Sequence, residues 1–370
     1  MKQAILDKLK NEDFNDGYYH IKEDIINYPD VWLYTIWSLR GPGKTYSFLR
    51  YVLAEEKFFI YMKRTNKDID LLCKRGFKLN DFDPSPFKPL NRDFELNIHP
   101  YKLDEGIAGF YEFNENDEPA GPMLGVCISL NKVFDLKGFD ISEADYICFD
   151  EFIPMKGQVV KKAEGTMLLK FYMTVCRDRI QRGRDDLKLV LLANADDIAV
   201  PVINTLEIMD DIAEMNNKGI ECNYIENRGI FLKHIKASKI NNGFEKMGIY
   251  KALKDTAFGE IEFQGSFANN DFSNVKKCVL KSYKPLIHLY YKRQDIYIYV
   301  NPETGYYHFT TARTNHYLVE YDLNRENDQK RFYQEYGIDI RLACIENRVT
   351  FSKYSFYDLF INYKKYFELR

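Results

Sequence analysis

Apolar residues along this chain gather into short, nearly unbroken runs separated by loops of charged and small residues. Residues 32–37, 57–62, 125–130, 146–149 and 187–193 form such runs. Runs this short, without polar alternation, predict strands buried on both faces. Between them the apolar spacing lengthens to three or four residues. Residues 46–55 and 163–173 have that spacing and predict helices, the second within a stretch 158–184 that reads as helical. Strands that alternate with helices predict an α/β protein whose mainly parallel sheet carries helices on both faces. Residues 96–99 and 107–111 predict a pair of strands at the periphery of that sheet.

After residue 205 glycine, asparagine and lysine become frequent. A helical lid is expected up to about residue 217, then short strands and a linker. From Lys276 the pattern is β-rich, with runs at 285–291, 296–300 and 306–311. Asn301, Pro302 and Gly305 mark a hairpin turn between the last two. Helices over 326–336 and 354–368 complete a small α+β domain.

One loop changes the picture from fold to chemistry. Ser38, Leu39, Arg40, Gly41, Pro42, Gly43, Lys44 and Thr45 follow the first buried run and precede the first helix. Glycines let the backbone curl so that its N–H groups point inward at phosphate oxygens. The lysine adds a mobile positive charge, the threonine hydroxyl reaches a magnesium ion, and the helix N-terminus adds partial positive charge. The first position departs from the usual glycine and is Ser38. Arg40 to Tyr46 are the expected phosphate-binding residues. The run 146–149 then delivers Asp150 and Glu151 to a strand end. Asp150 is expected to hold the magnesium with Thr45, and Glu151 to orient and activate the attacking water. The ordinary alternative for that pair is an acidic, solvated turn. Asn194 ends the run 187–193, so Thr45, Asp150 and Asn194 all lie at or just after strand ends, where ligands bind in such sheets. Lys63 and Arg64 end the second run, and basic residues there are positioned for a nucleotide or for solvent.

Composition narrows the class. The 370 residues suffice for one large or two ordinary domains. The overall balance is close, 52 basic against 55 acidic residues. It is uneven along the chain: residues 275–370 carry 16 basic against 11 acidic, and residues 1–274 carry 36 against 44. A basic, aromatic-rich tail on an acidic body is compatible with nucleic-acid contact. The seven cysteines are scattered without a C-x-x-C and read as reduced thiols of a cytosolic protein, with no zinc site. The charged start of the chain is no signal peptide, and no apolar run approaches the ~20 residues of a membrane span.

The order of these motifs resembles the genome-packaging ATPases of small podophages, compact relatives of terminase large subunits. The residues that carry the resemblance are Arg40 to Thr45, Phe59 to Arg64, Phe149 to Phe152, Val175 to Arg179 and Leu192 to Ala195. It covers the first two-thirds through motifs and the last third through hairpin pattern and size. It implies an ASCE-type P-loop NTPase domain over 1–205, a lid and linker over 206–275, and a C-terminal α+β domain over 276–370 that is RNase H-like but nuclease-dead. It implies a ring of subunits, a pentamer in well-studied members, that uses ATP and magnesium to drive double-stranded DNA through the portal into a preformed prohead. A structural packaging RNA is a further candidate partner. The setting implied is the host cytoplasm, with transient docking on the prohead and absence from the mature virion. By the same resemblance Arg177 matches an arginine finger acting on a neighbouring subunit, Lys137 another inter-subunit cation, and Asn194 a sensor of the γ-phosphate. Arg64 is assigned to the nucleotide. Read by itself, Arg177 is one of several arginines in a basic turn with Arg179, Arg182 and Arg184. Asp295, Asp322, Asp339, Glu346 and Asp358 in the tail form no nuclease-like constellation in the sequence. Two other readings remain: another P-loop translocase of helicase type, although helicase nucleic-acid motifs are absent, and a structural adaptor with a decayed loop. Intact Lys44, Thr45, Asp150 and Glu151 argue against decay.

Overall fold

The computed structural model describes residues 3–74, 83–133, 135, 141–155, 157–236, 246–256, 259, 263, 267, 270–316 and 318–369. The chain divides into two compact units. The first joins Met1–Glu207 to Lys218–Asn269, and the second joins Ile208–Asn217 to Asn270–Arg370.

The first unit begins with helices α1 (Gln3–Lys10) and α2 (Ile21–Asn27) and is built on a nine-stranded sheet. Its strands are β1 (Leu33–Ser38), β2 (Phe59–Lys63), β3 (Ile98–Asp104), β4 (Ile107–Phe113), β5 (Pro119–Ser129), β6 (Tyr146–Asp150), β7 (Lys188–Asn194), β8 (Cys222–Ile225) and β9 (Ile230–Ile235). The spatial order is β3-β4-β5-β2-β6-β7-β1-β9-β8. The six strands from β5 to β9 run parallel. Antiparallel neighbours close both ends. β7 therefore lies between β1, which feeds the loop, and β6, which carries the acids.

All six residues of β1 and all five of β6 are buried, as unbroken apolar runs in a parallel sheet require. On one face Tyr34 and Ile36 pack with Phe48, Leu49 and Val52 of α3 (Lys44–Ala54), within one core cluster. The same cluster takes in Ile69 of α4 (Asn66–Leu72) and Leu90 of α5 (Lys88–Phe94). Tyr172 of α6 (Glu164–Val175) packs against Trp32 and donates to the Leu187 carbonyl. The expected α/β class with a mainly parallel sheet is the one observed.

The peripheral strand pair is present but shifted, since β3 begins at Ile98 rather than residue 96. Residues 206–275 are divided between the two units. β8 and β9 belong to the large sheet, because Ile230, Phe231 and Leu232 bury themselves beside β1. The helix Met209–Lys218 falls largely in the second unit, where Asp210 accepts from the Ser355 backbone and hydroxyl.

That second unit holds a mixed five-stranded sheet. Its strands are β10 (Lys284–Tyr291), β11 (Gln294–Val300), β12 (Tyr307–Thr310), β13 (Val319–Asp322) and β14 (Val349–Phe351), in the order β13-β10-β11-β12-β14. The expected hairpin is β11–β12, whose turn is capped by the Asn301 side chain accepting from Glu303 and Thr304. Ile287, Ile298, Phe309, Phe332, Phe351 and Phe360 are among its core. Among the described residues no helix is long and apolar enough to cross a membrane.

Candidate active site

The loop after β1 turns on two glycines. Gly41 and Gly43 have φ of 100° and 89°, in the left-handed region that residues with a Cβ rarely adopt. Gly43 caps α3, and Ser47 N donates to its carbonyl. The loop walls an open cavity of about 310 Å³. Arg40, Gly41, Pro42, Gly43, Lys44, Thr45 and Tyr46 line it from the loop, Asp150 and Glu151 from β6, and Asn194 from β7. The three strand ends singled out in the sequence thus meet at one place.

Lys44 is buried with its ammonium on Ser38 Oγ at 2.5 Å, the Leu39 carbonyl at 3.0 Å and Asn194 Oδ1 at 3.2 Å. Burial pushes its pKa down to about 8, although Asp150 and Glu151 favour the charge. Thr45 Oγ1 donates to Asp150 Oδ1 at 3.2 Å. Two hard oxygens side by side at a phosphate loop fit magnesium, which keeps several waters and takes phosphate oxygens besides. Tyr46 donates to Asp93 at 3.1 Å.

Asp150 Oδ2 is committed elsewhere, to the Tyr61 hydroxyl at 2.5 Å and Lys63 Nζ at 3.1 Å. Burial alone would raise the Asp150 pKa; the Lys63 charge and three hydrogen bonds hold it below the usual carboxylate value. Lys63 also reaches Glu151 Oε2 at 3.0 Å. Burial opposes its charge, yet the two carboxylates hold its pKa above the ordinary lysine value. Glu151 is mostly exposed, its side chain at 68%, and its backbone sits in the left-handed region at φ 57°. Strain of that kind in a non-glycine residue costs about 1 kcal/mol or more and marks positions whose placement matters.

Arg64, expected at the nucleotide, does not line the cavity; its Nε bonds Glu164 at 3.2 Å and its Nη2 donates to the carbonyls of Glu151 and Phe152. Side chains alternate along β2, so Tyr61 and Lys63 share the Asp150 face. That period of two was the signal available for Lys63. Arg177 lies exposed in the turn after α6 and does not line the cavity. Its neighbour Arg179 is buried, holding Asp145 and the carbonyls of Ser142, Ala144 and Asp185. Lys137 lies outside the described residues.

In the second unit the tail acids are dispersed. Asp295 bonds His288, Asp322 bonds Asn324 and Arg325, Glu346 pairs with Arg348, and Asp358 takes Asn362. Among the described residues no three His, Cys, Asp or Glu side chains gather so as to hold a metal ion.

No family model and no curated protein matches the chain. Solved structures do. The chain is similar over 96% of its length to a chain of the bacteriophage Phi-29 viral genome packaging motor assembly, at TM-score 0.62 and 16% identity, and covers 100% of that chain. The fold is that of this packaging-motor chain. A chain of the Phi-28 gp11 DNA packaging motor is similar over 95% of the length and 98% of its own, at TM-score 0.56 and 16% identity.

Proposed function

We propose that this protein is the ATP-hydrolysing subunit of a motor that moves double-stranded viral DNA through a portal into a preformed capsid. The observation that carries the proposal is the convergence of Lys44, Thr45, Asp150, Glu151 and Asn194 on one cavity, in a chain that shares its fold nearly end to end with packaging-motor chains. Loop N–H groups and Lys44 bind the triphosphate of ATP. Magnesium, held by Thr45 and Asp150, neutralises phosphate charge when bound. Glu151, mobile at the cavity mouth once released by Lys63, accepts a hydrogen bond from the attacking water and orients it toward the γ-phosphorus. Asn194, adjoining Lys44, senses whether the γ-phosphate is present.

Arg177 is exposed and does not line its own chain's cavity, which suits a guanidinium that serves a neighbouring copy in a ring. We assign the ring five copies, the host cytoplasm and the prohead as its setting, and a structural RNA as a partner to be tested. Residues 276–370, which carry the basic excess, serve as a docking module for DNA or the prohead and do not cut DNA.

The test is packaging of DNA into purified empty proheads with this protein as the sole ATPase, with and without the structural RNA. ATP- and DNA-dependent uptake that Lys44→Ala abolishes is expected. DNA-stimulated hydrolysis without uptake would favour a translocase of another kind, and no hydrolysis at all would favour an adaptor.

A further inference from the structure

Ser38 stands where the usual phosphate loop has glycine, and its side chain is fully buried. A lysine ammonium has three protons to place. In Lys44 they meet three acceptors: the Ser38 hydroxyl, the Leu39 carbonyl and the Asn194 amide oxygen. Ser38 and Asn194 are opposite each other in the β1–β7 register, so the acceptors form one compact floor beneath the loop. Ser38 in turn donates its own proton to the Leu39 carbonyl at 2.6 Å, which leaves a lone pair for the lysine. A glycine would leave the floor with two acceptors.

We propose that Ser38 is a positioning residue whose hydroxyl completes a three-acceptor cage, holding the Lys44 ammonium beneath the loop until a triphosphate draws it out. The proposal rests on the reading of residues 41–45 as a triphosphate cradle. The cage acts on the nucleotide-free protein alone, because the bound lysine has exchanged it for phosphate oxygens. It therefore competes with nucleotide.

One hydrogen bond from a charged donor is worth about tenfold in an equilibrium. Losing that bond releases the free lysine, and triphosphate binds tighter by about that factor.

The experiment compares full-length wild type, Ser38→Ala and Ser38→Gly. Calorimetry measures the Kd for magnesium tripolyphosphate and for a non-hydrolysable magnesium–ATP analogue. Both variants are expected to bind each probe about tenfold tighter than wild type. Unchanged or weaker binding by the variants overturns the cage and leaves Ser38 a packing residue. Failure of the cradle reading looks different: wild type would bind neither probe, and Lys44→Ala would change nothing.

Discussion

Lys63→Met is the most informative single perturbation of the acid pair. It keeps the length and packing of the side chain and removes the ammonium that touches Asp150 at 3.1 Å and Glu151 at 3.0 Å. Lys63 and Asp150 are both largely buried, with side chains 13% and 10% exposed. Stranding one member of a buried ion pair costs about 3 kcal/mol. The Glu151 contact adds little, because that side chain is exposed. We expect Lys63→Met to lower the stability of the first unit by about 3 kcal/mol near neutral pH, read by chemical denaturation. The wild-type Asp150 has a folded pKa below its unfolded value, so its contribution is present above the unfolded pKa and lost as pH falls through the folded one. In the variant the Lys63 charge no longer holds that pKa down, so it rises relative to wild type and Asp150 protonates sooner. The gap between the two proteins therefore narrows as the pH is lowered from 7 toward the carboxylate range. A double-mutant cycle with Asp150→Asn isolates the pair. The double variant should recover most of the loss, because neither charge remains. Additivity of the two single changes within about 0.5 kcal/mol would refute the reasoning.

Three further expectations follow from the same geometry. Glu151→Gln should leave nucleotide binding intact and lower turnover by about a hundredfold, measured as phosphate release; lost binding with an intact fold would remove its assigned role. Glu151→Gly should likewise abolish turnover yet raise the stability by about 1 kcal/mol, since glycine takes φ 57° without strain, and an unchanged or lower stability would count against strain at this turn. Arg177→Ala should leave ATP binding unchanged and stop hydrolysis by assembled rings; mixing it with Lys44→Ala subunits should restore some, and mixed rings with no recovery would exclude action in trans.

Much of the site was legible because parallel strands buried on both faces leave unbroken apolar runs in a sequence. Thr45, Asp150 and Asn194 lay at or just after the ends of those runs, and the structure brings the three to one cavity. The sheet order was not legible, since nothing local says that β7 inserts between β1 and β6. Short strands were expected after residue 217, but the place of β8 and β9 in the large sheet escaped for another reason. Cys222–Ile225 is short and half-exposed at the sheet's end, and Ile230–Ile235 carries Lys233 and His234 in its apolar run. Lys233 is there to meet Asp24 at 2.6 Å, a long-range partner that no window of sequence contains. The pairing of Arg64 with Glu164 was not legible either, since its partner stands a hundred residues away in the chain.

The bracket that Arg64 makes has a mechanical meaning. One arm grips the turn that bears Glu151, through two of its carbonyl oxygens, and the other grips Glu164 in the first turn of α6. A twelve-residue helix is stiff and about 18 Å long, and Arg177 follows its far end. A swing of the Glu151 turn that carried Glu164 along would be delivered as a displacement at Arg177. Arg64→Met should uncouple the two, leaving single-subunit nucleotide binding unchanged while desynchronising the subunits of a ring. Unaltered cooperativity of hydrolysis in that variant would show that no such lever operates. Lost cooperativity would make the helix the arm through which one subunit's chemistry sets the timing of the next.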